Sequence, residues 1–364
     1  MHMNEVSFIT VNNIIKPQTG GDYTYHVMRD ELLKNRYKIF ELSTPSLIDH
    51  FVKLRTPNLQ AIYALSEIIG RFICCCSSIK KLARGRNLII TSSSPVFPVF
   101  GHLTYHQPKA GLFTQFRNEN ISVVKRIGYK ITENEKLSPL WFFVKKCNML
   151  HLSNSQFTRE LVKKIYQVDS YVLYPPVPVN KYIHLDFSVK RKPYVLIARP
   201  NAMTGISLLP KITKYLSKDI TLIIIGMIDK TGMYTLRRLK KEGVKYNYLG
   251  YVNERIKLEV LRKCSAYINL SINEPFGITI VEAMAAGCIP IAHNSGGIPE
   301  YLPYELMYST SNEAGEKIKR YIQSGYKIRK NLRNISLEFR EDVFRRKFMS
   351  LINHLENQFY GRRH

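Results

Sequence analysis

NEPFGITIVEAMAAGCIPIAHNSGGIPE, residues Asn273–Glu300, is the stretch from which the fold can be read. Ala266–Leu270, just before it, is a short β-rich run, and Ile278–Ala286 suits a helix, so Pro275-Phe276-Gly277 between them is a strand-to-helix turn. Glycine at such a turn lets backbone approach a ligand with no Cβ in the way. The first amides of the helix lack intrahelical partners and carry partial positive charge, which makes a place for phosphate or diphosphate. Glu274 stands before the helix and Glu282 eight positions on, about two turns at ~3.6 residues per turn, so both share a face with the turn. Carboxylates repel phosphate but accept hydrogen bonds from sugar hydroxyls. Two of them flanking an amide-lined phosphate pocket describe a nucleotide sugar. Gly287 stops the helix, Cys288–Ala292 is a second buried strand, and Gly296-Gly297-Ile298-Pro299-Glu300 is a second turn.

EPFGITIVEAMAAG followed by GGIPE resembles the donor-site signature of retaining GT-B glycosyltransferases, above all family 4. The resemblance implies an α/β chain of two Rossmann-like, doubly wound parallel-sheet domains facing across a cleft. It also implies transfer of a sugar from a nucleoside diphosphate with retained configuration. Glu274 would take the sugar hydroxyls and Glu282 the ribose. Phe276, Gly277 and Ile278 would line the diphosphate.

Outward from that stretch, the chain alternates strands and helices. Val6–Val11 is a first strand, and Gly20-Gly21 precedes an amphipathic helix, Tyr23–Lys34. A glycine pair there opens a doubly wound unit, and it resembles the family's amino-terminal glycine loop, placed at the reaction centre. Asn87–Thr91 is a buried strand, and Val96–Tyr105 leads to His106, ahead of Gln107-Pro108. A histidine at a strand's carboxyl end points where ligands bind in open α/β folds. Thr104-Tyr105-His106 resembles a family run whose histidine lies near the transferred sugar. Leu47–Ile73 and Leu140–Met149 have helical periods, whereas Phe113–Leu137 mixes aromatic and basic residues without a clear one. HLSNSQFTRELVKKIY and VLYPPVPV resemble the segment that closes the family's first domain, and Tyr174–Pro178 is a stiff connector.

The second half begins with strand Tyr194–Ala198, then Arg199, a loop, and an expected helix over Ile206–Leu216. Arg199 matches the cation that grips the diphosphate in the family's G-R-x-x-x-x-K-G run; Thr204 stands where that run has lysine. Lys211 and Lys230 are the basic residues near enough in sequence to replace it. Gly226, at a strand end, and Gly250-Tyr251 match places where the family holds the base. The expected domains are residues 1–180 for the acceptor, 181–340 for the donor, and 341–364 as a last helix crossing back to the first. A long amphipathic helix is read over Glu338–Leu355.

The chain has 364 residues, 45% hydrophobic, enough for two cores and incompatible with a disordered chain. Lys and Arg number 54 against 28 acids, a net charge of +26. The basic clusters include Lys80–Lys81, Arg237–Arg238 and Arg329–Arg333. That surface suits polyanions, among them an anionic membrane face and a phosphorylated lipid. A glycan or lipid-phosphate-linked acceptor is the corresponding expectation. Nucleic acid is disfavoured, because no zinc finger or aromatic-basic recognition module is present. Adjacent Cys74-Cys75-Cys76 have no zinc-ligand spacing and no disulfide framework is visible. A reduced cytoplasmic setting follows, peripheral at the inner membrane face, with no signal peptide and no spanning segment. No cofactor or metal is expected beyond the nucleotide-sugar co-substrate, because no D-x-D pair is placed against the diphosphate. Two alternatives stay open: a nucleotide-sugar epimerase on the same fold, and a non-catalytic polyanion-binding protein on a transferase scaffold.

Overall fold

The computed structural model describes residues 5–10, 20–43, 88–93, 103–106, 150–186, 191–322 and 325–360. The helices expected over Leu47–Ile73 and Leu140–Met149, the segment Phe113–Leu137 and the cysteine triplet lie outside them. Contacts divide the described chain into two units. One comprises the residues through Tyr174 together with Arg345 onward, the other Pro175–Phe344.

The first unit is a parallel sheet with helices. In chain order it contains β1 (Glu5–Thr10), α1 (Gly20–Lys34), β2 (Lys38–Ser43), β3 (Leu88–Ser93), β4 (Leu103–His106), β5 (Leu150–Ser153), α2 (Gln156–Tyr166) and β6 (Tyr171–Val172). The strands are ordered β2-β1-β3-β4-β5-β6, and every pairing is parallel. The order reverses between β1 and β3, so the chain leaving β1 enters α1 at the switch point where ligands bind in open sheets. Gly20 and Gly21 form the first turn of α1; the sequence alone placed them in the loop before it. Tyr25, Met28 and Leu32 recur at helical spacing on the buried face of α1. Ser155 caps α2 by accepting from the Thr158 amide at 3.1 Å, and Gln167 ends it in the left-handed region at φ 54°. The buried phenol of Tyr105 donates to the Leu173 carbonyl at 2.7 Å, tying β4 to the strand-end segment after β6.

The second unit contains β7 (Lys192–Ala198), α3 (Leu209–Thr213), β8 (Thr221–Ile225), α4 (Lys230–Lys241), β9 (Tyr246–Tyr248), α5 (Glu254–Lys263), β10 (Cys264–Asn269), α6 (Ile278–Ala285), β11 (Ile289–His293), β12 (Met307–Tyr308), α7 (Ser311–Tyr321), α8 (Tyr326–Ser336) and α9 (Glu341–Tyr360). From Arg345 onward, α9 is grouped with the first unit. The sheet order is β12-β11-β10-β7-β8-β9, all parallel. Counted within the unit this is the 3-2-1-4-5-6 order of dinucleotide-binding folds, with the reversal between β7 and β10. All six residues of β10 are buried, as expected for a central strand covered on both faces.

The single helix expected over Ile206–Leu216 is instead a series of short turns: 3₁₀ segments Ala202–Thr204 and Ile206–Leu208, then α3. Pro210 stands in the first turn of α3, where a proline is tolerated, so the helix starts afresh there. Gly205, which ends the first 3₁₀ segment, sits at φ 76°, where a Cβ would lie 2.3 Å from the Leu270 carbonyl oxygen, so only glycine fits. The last helix also begins later than read, at Glu341. A 3₁₀ turn, Leu337–Phe339, and extended Arg340 precede it.

Candidate functional site

Arg199 leaves the end of β7, and Asn273-Glu274 follow β10, so the switch point of the second sheet brings them together. Asn273 takes φ 54°, and its amide donates to Ser295 Oγ at 2.8 Å. The Glu274 carbonyl accepts from the Gly297 amide at 2.9 Å. Gly296 makes that approach feasible, since a Cβ there would lie 2.2 Å from the Glu274 carbonyl oxygen. The GGIPE turn is thus the clamp that holds the first carboxylate's backbone.

Glu274 is only 8% exposed. Its Oε2 is buried with no hydrogen-bond partner among the described residues, and Arg199 Nη2 stands 3.9 Å away. A buried carboxylate oxygen in this state is poised for a hydroxyl donor. Gly277 then turns through φ 86° and opens α6, its carbonyl accepting the Ile280 amide at 2.9 Å. The amides of Ile278 and Thr279 have no hydrogen-bond acceptor among the described residues, and both residues are half-exposed. They form the bare positive end of α6. The Phe276 ring packs in the core against Tyr301 and Phe339, with centroids 5.4 and 5.2 Å away, so its backbone alone is available to a ligand.

The Arg199 side of the hollow is equally determined by backbone. Arg199 sits at φ 54°, and its amide donates to the Ile225 carbonyl at 2.8 Å. Gly226, at φ 110°, packs on it, where a Cβ would approach the Arg199 amide nitrogen to 3.0 Å. The Gly226 amide donates to the Gly250 carbonyl at 2.7 Å, bringing the β8 and β9 ends together. Tyr251 follows and is 82% exposed. Thr204 serves the turn itself: its hydroxyl donates to the Arg199 carbonyl, and it completes a capping box with Asn201. The position of the missing lysine is therefore a structural one here. Asp229 bridges this turn to α4, accepting from the Ala202 amide at 2.9 Å and the Gly232 amide at 2.8 Å.

Glu282 lies on α6, 4% exposed. Its Oε1 accepts from the Tyr182 phenol at 3.1 Å and from Lys257 Nζ at 2.7 Å. Burial pushes the Tyr267 phenol far above its ordinary range; Arg199 opposes the push, while Glu274 and Glu282 add to it. One buried ring thus feels all three charges. At the other end of α6, Arg333 Nε donates to the Ala285 carbonyl at 2.9 Å and Arg191 Nη2 to Ala286 at 2.5 Å, while Arg329 Nη1 donates to Gly287. Three guanidiniums cap the negative end of the helix whose positive end faces the hollow. Arg329 is buried and Arg333 half-buried, so these two members of a basic cluster counted in the sequence are not surface charge.

Tyr182 and Lys257 escape sequence reasoning. The signal for Lys257 was present: it shares a face of α5 with buried Val260 and Leu261, at i+3 and i+4. Tyr182, a hundred positions from its partner, gave none. In the first unit, Gly20 and Gly21 open α1 at the switch point, and His106 ends β4.

Residues 186–336 match the family model described as glycosyl transferases group 1. A curated relative, the GDP-Man:Man(3)GlcNAc(2)-PP-Dol alpha-1,2-mannosyltransferase of Dictyostelium discoideum, is 27% identical over 275 residues, covering 66% of this chain and 53% of the relative. The chain thus spans about half the length of the curated relatives it matches. Among solved structures, sucrose-phosphate synthase from Thermosynechococcus elongatus aligns with TM-score 0.72 at 13% identity, covering 98% of this chain and 100% of the other. Anabaena Alr3699/HepE in complex with UDP and glucose aligns with TM-score 0.63 at 12% identity, covering 97% and 100%. The fold is GT-B, and the match to the group 1 glycosyl transferase model falls in its second unit.

Proposed function

We propose that this chain is a glycosyltransferase that moves a mannosyl residue from GDP-mannose to a glycan carried on a lipid diphosphate. The names of the relatives support the sugar and the acceptor class; the hollow supports the chemistry. In this reading Arg199 and the amides of Gly277 and Ile278 bind the donor diphosphate, Glu274 the sugar hydroxyls and Glu282 the ribose. Gly226, Gly250 and Tyr251 border the base. Gly20, Gly21 and His106 belong to the acceptor-side unit. The acceptor hydroxyl attacks the anomeric carbon while the bond to the diphosphate oxygen breaks. The departing phosphate accepts the hydroxyl proton on the same face, so the configuration is retained. Negative charge grows on the diphosphate as it leaves, and a fixed cation and oriented amides stabilise that charge at no cost in reorganisation.

The observation that carries the reading is the buried, unbonded Oε2 of Glu274 beside Arg199, at a sheet switch point and next to two uncommitted helix amides. The test is thermal melting of the full chain in the presence of GDP, UDP, ADP and their sugars. Ligand at 100 times its dissociation constant adds about 2.7 kcal/mol of stability. GDP and GDP-mannose are expected to raise the melting temperature most. A panel in which no nucleoside diphosphate moves it contradicts the reading.

A further inference from the structure

The carboxylate of Glu282 is bonded on one side only. Oε1 receives both the Tyr182 phenol, at 3.1 Å, and the Lys257 ammonium, at 2.7 Å. Among the described residues nothing donates to Oε2. Both donors are themselves fixed. Tyr182 is 1% exposed and follows the 3₁₀ turn Val179–Lys181. Lys257 rises from α5 with its side chain 21% exposed, and Glu254 stands 3.9 Å from its ammonium. Glu254 in turn meets Lys181 at 3.6 Å, so the turn before Tyr182 and the first turn of α5 are pinned to each other.

We propose that Tyr182 and Lys257 are positioning residues that orient Glu282 so that Oε2 faces the donor ribose, making the site selective for ribonucleotides over deoxyribonucleotides. The inference rests on the assignment of Glu282 to the ribose. An ionised carboxylate only accepts hydrogen bonds, and each oxygen offers two lone-pair directions. Two donors on Oε1, one of them charged, fill that oxygen and stop the group from rotating. The whole remaining accepting capacity then lies on Oε2, which suits a vicinal diol. Lys257 also sets an opposite charge 2.7 Å from the buried carboxylate. A nucleotide lacking both hydroxyls leaves Oε2 without a donor.

The test measures affinities of the full chain for GDP and for 2′,3′-dideoxy-GDP, in wild type, Tyr182→Phe, Lys257→Met and Lys257→Arg. Wild type is expected to prefer GDP by roughly 10- to 100-fold, the range of one charge-assisted hydrogen bond. Lys257→Met and Tyr182→Phe are expected to shrink that preference toward unity by weakening GDP alone, with the dideoxy affinity unchanged. Lys257→Arg keeps most of the preference. If both variants lose affinity for the two nucleotides by the same factor, the preference persists and the positioning role is overturned. A wild-type chain that binds both nucleotides equally overturns the ribose assignment of Glu282 itself, and the inference with it.

Discussion

Glu274 keeps one carboxylate oxygen buried and unbonded beside a guanidinium 3.9 Å away, an arrangement that costs roughly 1–3 kcal/mol until a donor reaches it. An alanine or leucine would fold more easily there, so the folded chain alone gives no reason for the carboxylate. His151, on β5, is strained in the opposite sense: burial pulls its imidazole down to about 4 from the usual 6.5. It is neutral in the folded chain, and the unfolded chain takes up a proton first. Stability is therefore complete above pH 6.5 and is lost as the pH falls toward 4. Between pH 7.5 and 5 the loss is about 2 kcal/mol by linkage. In denaturant titrations, the drop in unfolding free energy from pH 7.5 to pH 5 is expected to be smaller in His151→Leu than in wild type by that amount. Identical pH dependence in the two chains would refute the assignment. At this scale the placing of Glu274 and Glu282 on either side of one glycine turn was legible because that spacing is written locally, whereas Arg199 came from a resemblance. The pairing of Lys257 and Tyr182 with Glu282 was not legible, because their partner lies 25 and 100 residues away.

At the scale of elements, α6 is the most instructive. Its start and stop were legible from Gly277 and Gly287, whose positive φ values no other residue takes as easily. Its electrostatic completion was not, since Arg191 precedes β7 while Arg329 and Arg333 come from α8, both distant in sequence from α6. Burial pulls Arg329 and Arg333 down to about 10, which leaves both charged at neutral pH. Arg329 donates to the Ser265 and Gly287 carbonyls, so Arg329→Met leaves two buried acceptors bare. That substitution is expected to cost about 2–4 kcal/mol of stability, seen as a lower denaturation midpoint. An unchanged midpoint would show that water replaces the guanidinium at no cost. The helix read over Ile206–Leu216 starts only at Leu209, because Pro210 fits a helix's first turn and not its interior. Gly205 is obligatory for a tertiary reason, its approach to Leu270, of which the sequence gives no sign.

For the whole molecule, alternation of strands and helices announced two doubly wound units, but not the order of their strands. That order is what places Arg199 beside Glu274, and only long-range pairing decides it. The net charge of +26 is a property of the whole chain. Among the described residues no helix is long and apolar enough to cross a membrane. If the acceptor is lipid-borne, that charge is expected to draw the chain to an anionic bilayer. Co-sedimentation with vesicles is expected to rise with their anionic lipid content and to fall as salt shortens the screening length from about 10 Å at 0.1 M to 3 Å at 1 M. Binding indifferent to lipid charge and salt would remove the membrane from the account.

The most direct trial is transfer of labelled mannose from GDP-mannose to a lipid-diphosphate glycan by wild type and by Glu274→Gln. The variant keeps the shape and changes only the charge and accepting capacity of the buried group. Its turnover is expected to fall by roughly 10²- to 10³-fold with GDP affinity nearly unchanged, because the proposal gives Glu274 the transferred sugar and not the nucleotide. Turnover near the wild-type level would contradict the account at its centre.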